Sequence, residues 1–107
     1  MPTLAVAHLR NVTMGPAIAE YLRRIDATLE PFGGRYLVHG GEAETLEGRW
    51  SGDFIMIEFP DRSSAHRWYN SADYREILPL RMANSEGDVF LIDTVPPGHK
   101  ATDILME

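Results

Sequence analysis

Residues 54–59 read Phe54-Ile55-Met56-Ile57-Glu58-Phe59, apolar at every position except Glu58. Successive side chains of a strand point to opposite faces of its sheet. A strand of this composition therefore asks for burial on both sides. A sheet with one face in water alternates apolar and polar residues instead. The same double demand appears at Thr3 to Leu9, where Leu4 and Val6 alternate with Ala5 and Ala7. It appears again at Asp88 to Val95, where Val89 and Leu91 alternate with Phe90 and Ile92. A fourth segment, Arg35 to His39, is bounded by Gly33-Gly34 and Gly40-Gly41 and reads as a strand.

Two helical regions separate these strands. Gly15-Pro16 starts the first, with proline where its missing N–H costs nothing. Ile18, Tyr21, Leu22, Ile25, Leu29 and Phe32 then recur at three- and four-residue steps, forming one apolar stripe. Pro31 and Gly33-Gly34 stop it. The second region follows Pro60-Asp61, with Asp61 or Ser63 as its cap and Ala65, Trp68 and Tyr69 on its inner side. Ser71 offers a fresh cap before Tyr74, Ile77 and Leu78. Pro79 removes a helical hydrogen bond, so a break is expected there, followed by a short helical turn from Leu80 to Asn84. Residues 42–53 are polar and contain glycine, which suits a hairpin excursion.

The order is β, α, β, β, α, β. Two crossovers joined by a hairpin make an α+β domain of ferredoxin-like topology: a four-stranded antiparallel sheet with its helices on one face. The opposite face is apolar and uncovered. A second copy of the sheet is the simplest cover, since two-fold pairing dominates homo-oligomers. Pro96-Pro97-Gly98 ends the domain, giving residues 1–95 as the dimeric barrel unit and 96–107 as a C-terminal tail.

The chain has 107 residues, 44% of them hydrophobic, and a net charge of −6 from 16 acidic and 10 basic residues. That balance suits a globular domain and argues against nucleic acid or an anionic membrane surface as partner. Cysteine is absent, which excludes disulfides, thiolate metal sites and cysteine nucleophiles. No signal-peptide pattern and no membrane-spanning run is visible, so a cytoplasmic location is expected.

The segments Gly33-Gly34-Arg35-Tyr36-Leu37-Val38, Leu46-Glu47-Gly48, Ile57-Glu58-Phe59-Pro60, Trp68-Tyr69-Asn70-Ser71 with Tyr74, and Leu80-Arg81 resemble the DUF1330 family. These are small domains of unknown function in the dimeric α/β-barrel superfamily. The resemblance runs from about Leu4 to Asp93 and leaves the tail outside. It implies the ferredoxin-like fold and a sheet-to-sheet homodimer, but no reaction. The superfamily spans cofactor-free monooxygenases, haem-degrading enzymes, isomerase-like proteins and stress-response proteins, and fold kinship does not choose among them.

Sorting each strand by parity separates a wholly apolar or small set from a mixed one. Ala5/Ala7/Leu9, Ile55/Ile57/Phe59 and Phe90/Ile92 are assigned to the helix-covered side, where the alanines would let helices approach. Leu4/Val6/His8/Arg10, Arg35/Leu37/His39, Phe54/Met56/Glu58 and Val89/Leu91/Asp93 are assigned to the partner-facing side, as the lining of a mixed pocket. On this grouping His8, Glu58 and Arg10 are the candidate catalytic residues, since a histidine and a carboxylate can exchange a proton at neutral pH. The competing reading makes Glu58 and Arg10 a structural ion pair and His8 a satisfied core residue. Candidate ligand contacts are Tyr36 and His39 of the second strand, with Trp68, Tyr69, Tyr74 and Arg81 of the second helical region. Aromatics with one arginine can hold a planar anion. More often such residues simply pack a helix on a sheet, with Arg81 anchoring a carboxylate such as Glu58 or Glu47. The histidines lack zinc-site spacing, so neither metal nor cofactor is expected. The reading is a homodimeric small-molecule-binding protein. A cofactor-independent proton-transfer enzyme on a small carbonyl or aromatic acid, and a structural or stress-response dimer without a ligand, remain the alternatives.

Overall fold

The computed structural model describes residues 1–106. Its elements are β1 (Thr3–Arg10), α1 (Pro16–Leu29), β2 (Arg35–His39), β3 (Asp53–Phe59), α2 (Arg62–Tyr69), α3 (Ala72–Met82) and β4 (Glu86–Asp93). Short 3-10 segments follow α1 (Glu30–Phe32) and close the chain (Ala101–Met106). The four strands form one antiparallel sheet in the order β2-β3-β1-β4. Among the described residues, no helix is long and apolar enough to cross a membrane.

Local chemistry explains the boundaries. Pro16 opens α1, and after the 3-10 turn Gly33 adopts a left-handed conformation (φ 71°) that few other residues tolerate. The next glycine is required for space: a Cβ on Gly34 would lie 2.8 Å from Phe59 and 2.9 Å from Leu29. Asp61 caps α2 by accepting the Ser64 N–H at 2.7 Å, and Ser71 caps α3 by accepting the Tyr74 N–H at 3.2 Å.

The break expected at Pro79 does not occur, and α3 runs through it to Met82, taking in much of the separate turn expected at Leu80 to Asn84. Proline there forfeits only the bond to the Arg75 carbonyl, on the exposed side of the helix, and the ladder resumes with Ala83 N–H donating to the Pro79 carbonyl at 3.0 Å. Buried Ile77 and Leu78 hold the helix against the core.

The helix-covered face of the sheet carries Ala5, Ile57, Phe59 and, more peripherally, Tyr36, Ile55 and Leu91. From the helices come Tyr21, Ile25 and Leu29 of α1, Ala65 and Trp68 of α2, and Tyr74, Ile77 and Leu78 of α3. Register bears out the parity assignment in part and corrects it in part. Ala5 is opposite Ile57 and Leu91, and Val6 is opposite Met56 and Phe90. Directly opposed residues share a face, so β1 and β3 sort as expected while β4 is inverted. Val89, Leu91 and Asp93 lie on the helix side, and Phe90 and Ile92 on the open side. Both β4 sets begin apolar, so composition could not distinguish them.

The second departure is a register shift in β2 between Tyr36 and Val38. An extra residue on one strand turns the side chains beyond it to the other face. Arg35 stays opposite Glu58 on the open face, while Tyr36 and His39, opposite Ile57 and Ile55, both face the helices. Simple alternation places His39 on the open side, and the shift overrides it.

Candidate functional site

Helices on a sheet would ordinarily close over it. Here a cavity of about 240 Å³ remains between the sheet and α1, α2 and α3. Its cause is legible in β1, where Ala5 and Ala7 offer single methyl groups to the space beneath the helices. Ile18 and Ile25 of α1, Ile55 and Ile57 of β3 and Val89 of β4 make the lining overwhelmingly apolar. Val12, Met14, Gly40 and Asp53 belong to its margin. The β1–α1 loop among them is pinned by the Thr13 N–H donating to the Asn84 carbonyl at 2.8 Å, beyond the end of α3.

The polar groups in this lining are few. The Tyr21 and Tyr74 hydroxyls share a buried hydrogen bond of 2.8 Å. Burial pushes the Tyr21 hydroxyl well above its usual value; Tyr74 adds to the shift and Arg81 opposes it. Burial, then the charge of Asp26, likewise raises Tyr36. Both phenols are therefore protonated donors at neutral pH. The Trp68 ring centre lies 4.1 Å from that of Tyr74, and its N–H is already committed to Thr28 Oγ1 at 3.0 Å. Thr28 in turn donates to the Ile25 carbonyl at 2.6 Å. Trp68 thus offers the cavity a flat apolar surface and no donor. Arg81 is half-buried, its guanidinium carbon 6.0 Å from the centre of the Tyr21 ring. Tyr36 and His39 stack with ring centres 4.4 Å apart.

All six candidate ligand contacts, Tyr36, His39, Trp68, Tyr69, Tyr74 and Arg81, line this cavity. The cavity itself is on the helix side of the sheet, whereas strand parity predicts a mixed pocket on the partner-facing side. His8, Arg10 and Glu58 do share the open face, but not a site. His8 is opposite Phe54 and Glu58 opposite Leu4, so about four residues, roughly 13 Å of strand, separate them. Glu58 pairs with Arg35 at 2.9 Å, and Arg10 with Asp88 at 3.3 Å. Neither the expected Glu58–Arg10 pair nor an Arg81–Glu58 pair forms. The His8 Nε2 is 2.8 Å from the Ser51 carbonyl, its Nδ1 is 3.4 Å from Arg10, and Trp50 stacks on the ring at 4.5 Å. His8 thus anchors the end of the β2–β3 loop.

Sequence reasoning passes over Tyr21 as a polar participant. The available signal is a hydroxyl-bearing aromatic in the middle of the buried stripe of α1, which needs a partner inside. It also passes over Trp50, for which a loop position carries no signal. Among the described residues, no group of three or more histidine, aspartate or glutamate side chains is placed to hold a metal ion.

Known structures share this architecture at low identity. The methylated RPA0582 protein is 21% identical over 92% of this chain and 84% of its own, with a TM-score of 0.69. A dimeric ferredoxin-like protein of unknown function from Thermobifida fusca is 15% identical over 88% of this chain and 92% of its own, with a TM-score of 0.62. SnoaB, a cofactor-independent oxygenase from Streptomyces nogalater, is 14% identical over 92% of this chain and 98% of its own, with a TM-score of 0.61. These likenesses establish the ferredoxin-like fold and nothing about chemistry. No curated protein matches the sequence. The sequence profile of DUF1330, a domain of unknown function, matches residues 2–95, nearly the whole chain, and the protein belongs to that family.

Proposed function

We propose that this protein is a homodimeric small-molecule-binding domain, each protomer holding its ligand in the cavity between its own sheet and helices. The carrying observation is the cavity: about 240 Å³ of apolar space in a domain small enough to need all the burial it can get. Apolar voids of this size sacrifice packing, and an occupant would restore it. The volume suits a molecule of one or two rings. The cavity reaches Trp68 on the helix side of the sheet, within one protomer and apart from the face that a partner sheet would cover.

The dimer half of the reading draws on the open face. Phe90 and Ile92 are each 49% exposed there, beside Leu4, Phe54 and Met56, and a partner sheet would cover them. The protein of like fold from Thermobifida fusca is described as dimeric, which supports a dimer here. Proton transfer by His8, Glu58 and Arg10 draws no support from their separation.

Native mass spectrometry of protein purified from its own host tests both halves. The expected result is twice the 12.0 kDa chain mass with one small adduct per protomer. Ala7→Phe, which fills the cavity, should lose the adduct and keep the dimer. A monomer refutes the dimer, and an adduct that survives Ala7→Phe refutes the cavity as its site.

A further inference from the structure

Among the described residues, Arg10, Arg23, Arg24, Arg35 and Arg62 all pair with carboxylates, each on the surface. Arg49, Arg67, Arg75 and Arg81 form no such pair among the described residues; the first three are exposed, whereas Arg81 is half-buried and lines the apolar cavity. A guanidinium stays charged at any physiological pH. Removing it from water without an anion is costly, and charges in protein interiors are normally paired. Its guanidinium carbon is 6.0 Å from the centre of the Tyr21 ring, whose hydroxyl meets that of Tyr74. These two phenols carry two protons, and the 2.8 Å bond between them uses one. The second O–H is free to donate. A fixed cation and a spare phenolic donor at the edge of an apolar space make a receptor for one negatively charged oxygen. Asp53, the carboxylate in the lining, is exposed and forms no ion pair with Arg81. The remaining surfaces, the Trp68 and Tyr69 rings and the methyl groups of Ala5 and Ala7, suit a flat apolar body.

We propose that the cavity selects a small planar organic anion, a carboxylate, phenolate or enolate, with its charged oxygen on Arg81 and the Tyr21–Tyr74 pair and its ring against Trp68 and the alanine methyls. This rests on the cavity being a ligand site and adds the sign of the ligand's charge and the residues that recognise it.

Matched probes separate the two claims. Benzoate and 2-naphthoate would be titrated calorimetrically against benzamide and 2-naphthamide, which share their shapes without the charge. Wild-type protein should bind at least one carboxylate 10-fold or more tighter than its amide. Arg81→Met should erase that preference while retaining the amide's affinity. If amides bind as well as carboxylates, or if the preference survives Arg81→Met, the anion proposal falls and the cavity reading stands. If no probe of either kind binds, both fall. Should Arg81→Met fail to fold, Arg81→Lys serves, since it keeps the charge and loses the planar fork. It should weaken the carboxylate several-fold and leave the amide unchanged, and an unchanged carboxylate affinity would overturn the assignment.

Discussion

The two faces of this sheet present opposite problems. One is covered by three helices and yet incompletely filled, because β1 contributes alanines where bulk was needed to close the interior. The other has no cover within the chain and yet is built from large apolar residues, with the ionic pairs Arg35–Glu58 and Arg10–Asp88 at its margins. Volume and hydrophobicity are thus distributed against the simple expectation of a full core and a polar outside. Space kept under the helices suits a ligand, and apolar surface kept outside suits another sheet. The ionisable residues of the open face, which invite a catalytic reading, mostly hold the margins of that surface. The space under the helices is lined instead by aliphatic and aromatic residues, with Arg81 among them.

The contrast between the faces can be broken by truncating one phenylalanine on each. Phe59 is completely buried beneath the helices, and Phe59→Ala should cost roughly 3–5 kcal/mol of unfolding free energy, read by urea denaturation. Phe90→Ala on the open face should leave the unfolding of an isolated protomer within about 1 kcal/mol of wild type, because half of the side chain is already in water. Its main effect should be a higher dimer dissociation constant in sedimentation equilibrium. Equal unfolding costs in dilute protein would remove the distinction between the faces.

A smaller effect is expected from Glu58→Gln. Arg35, its partner, is mostly exposed, so losing the pair should change stability by less than about 1 kcal/mol and leave probe binding in the cavity unaltered. Lost ligand affinity in that variant, with fold and dimer intact, would make Glu58 a functional residue after all.

The smallest effect concerns the register of β4. The Thr3 hydroxyl, and after it the Arg62 guanidinium, hold the Asp93 carboxyl below the usual carboxylate range. A depressed acid stabilises the fold above its unfolded value of about 3.9, and that contribution is lost as pH falls through the lower folded value. Thermal melts of wild type and Asp93→Asn should therefore differ slightly at neutral pH and converge in acid. A difference that grows in acid would contradict the placement of Asp93 against Thr3.

Much of the fold is readable from local pattern. The four strands, the α1 stripe, the caps at Asp61 and Ser71 and the apolar demand of both sheet faces are local or periodic properties. They arise from side-chain volume, branching and hydrogen-bonding capacity at short sequence separation. The aromatic and arginine members of the cavity are also legible as a set by residue type, although the same types pack a helix on a sheet and most of these aromatics also belong to the core. Three matters are not legible. The parity of β4 depends on pairing with a strand some eighty residues away, and both of its faces are apolar. The shift in β2 that turns His39 inward arises from mismatch with β3, which no pattern within five residues encodes. The persistence of α3 through Pro79 depends on the burial of Ile77 and Leu78. The sequence by itself determined the order of strands and helical regions and that both faces of the sheet are apolar. Only the tertiary structure decided which side holds the cavity and which charges meet, because those depend on register and packing between segments distant along the chain.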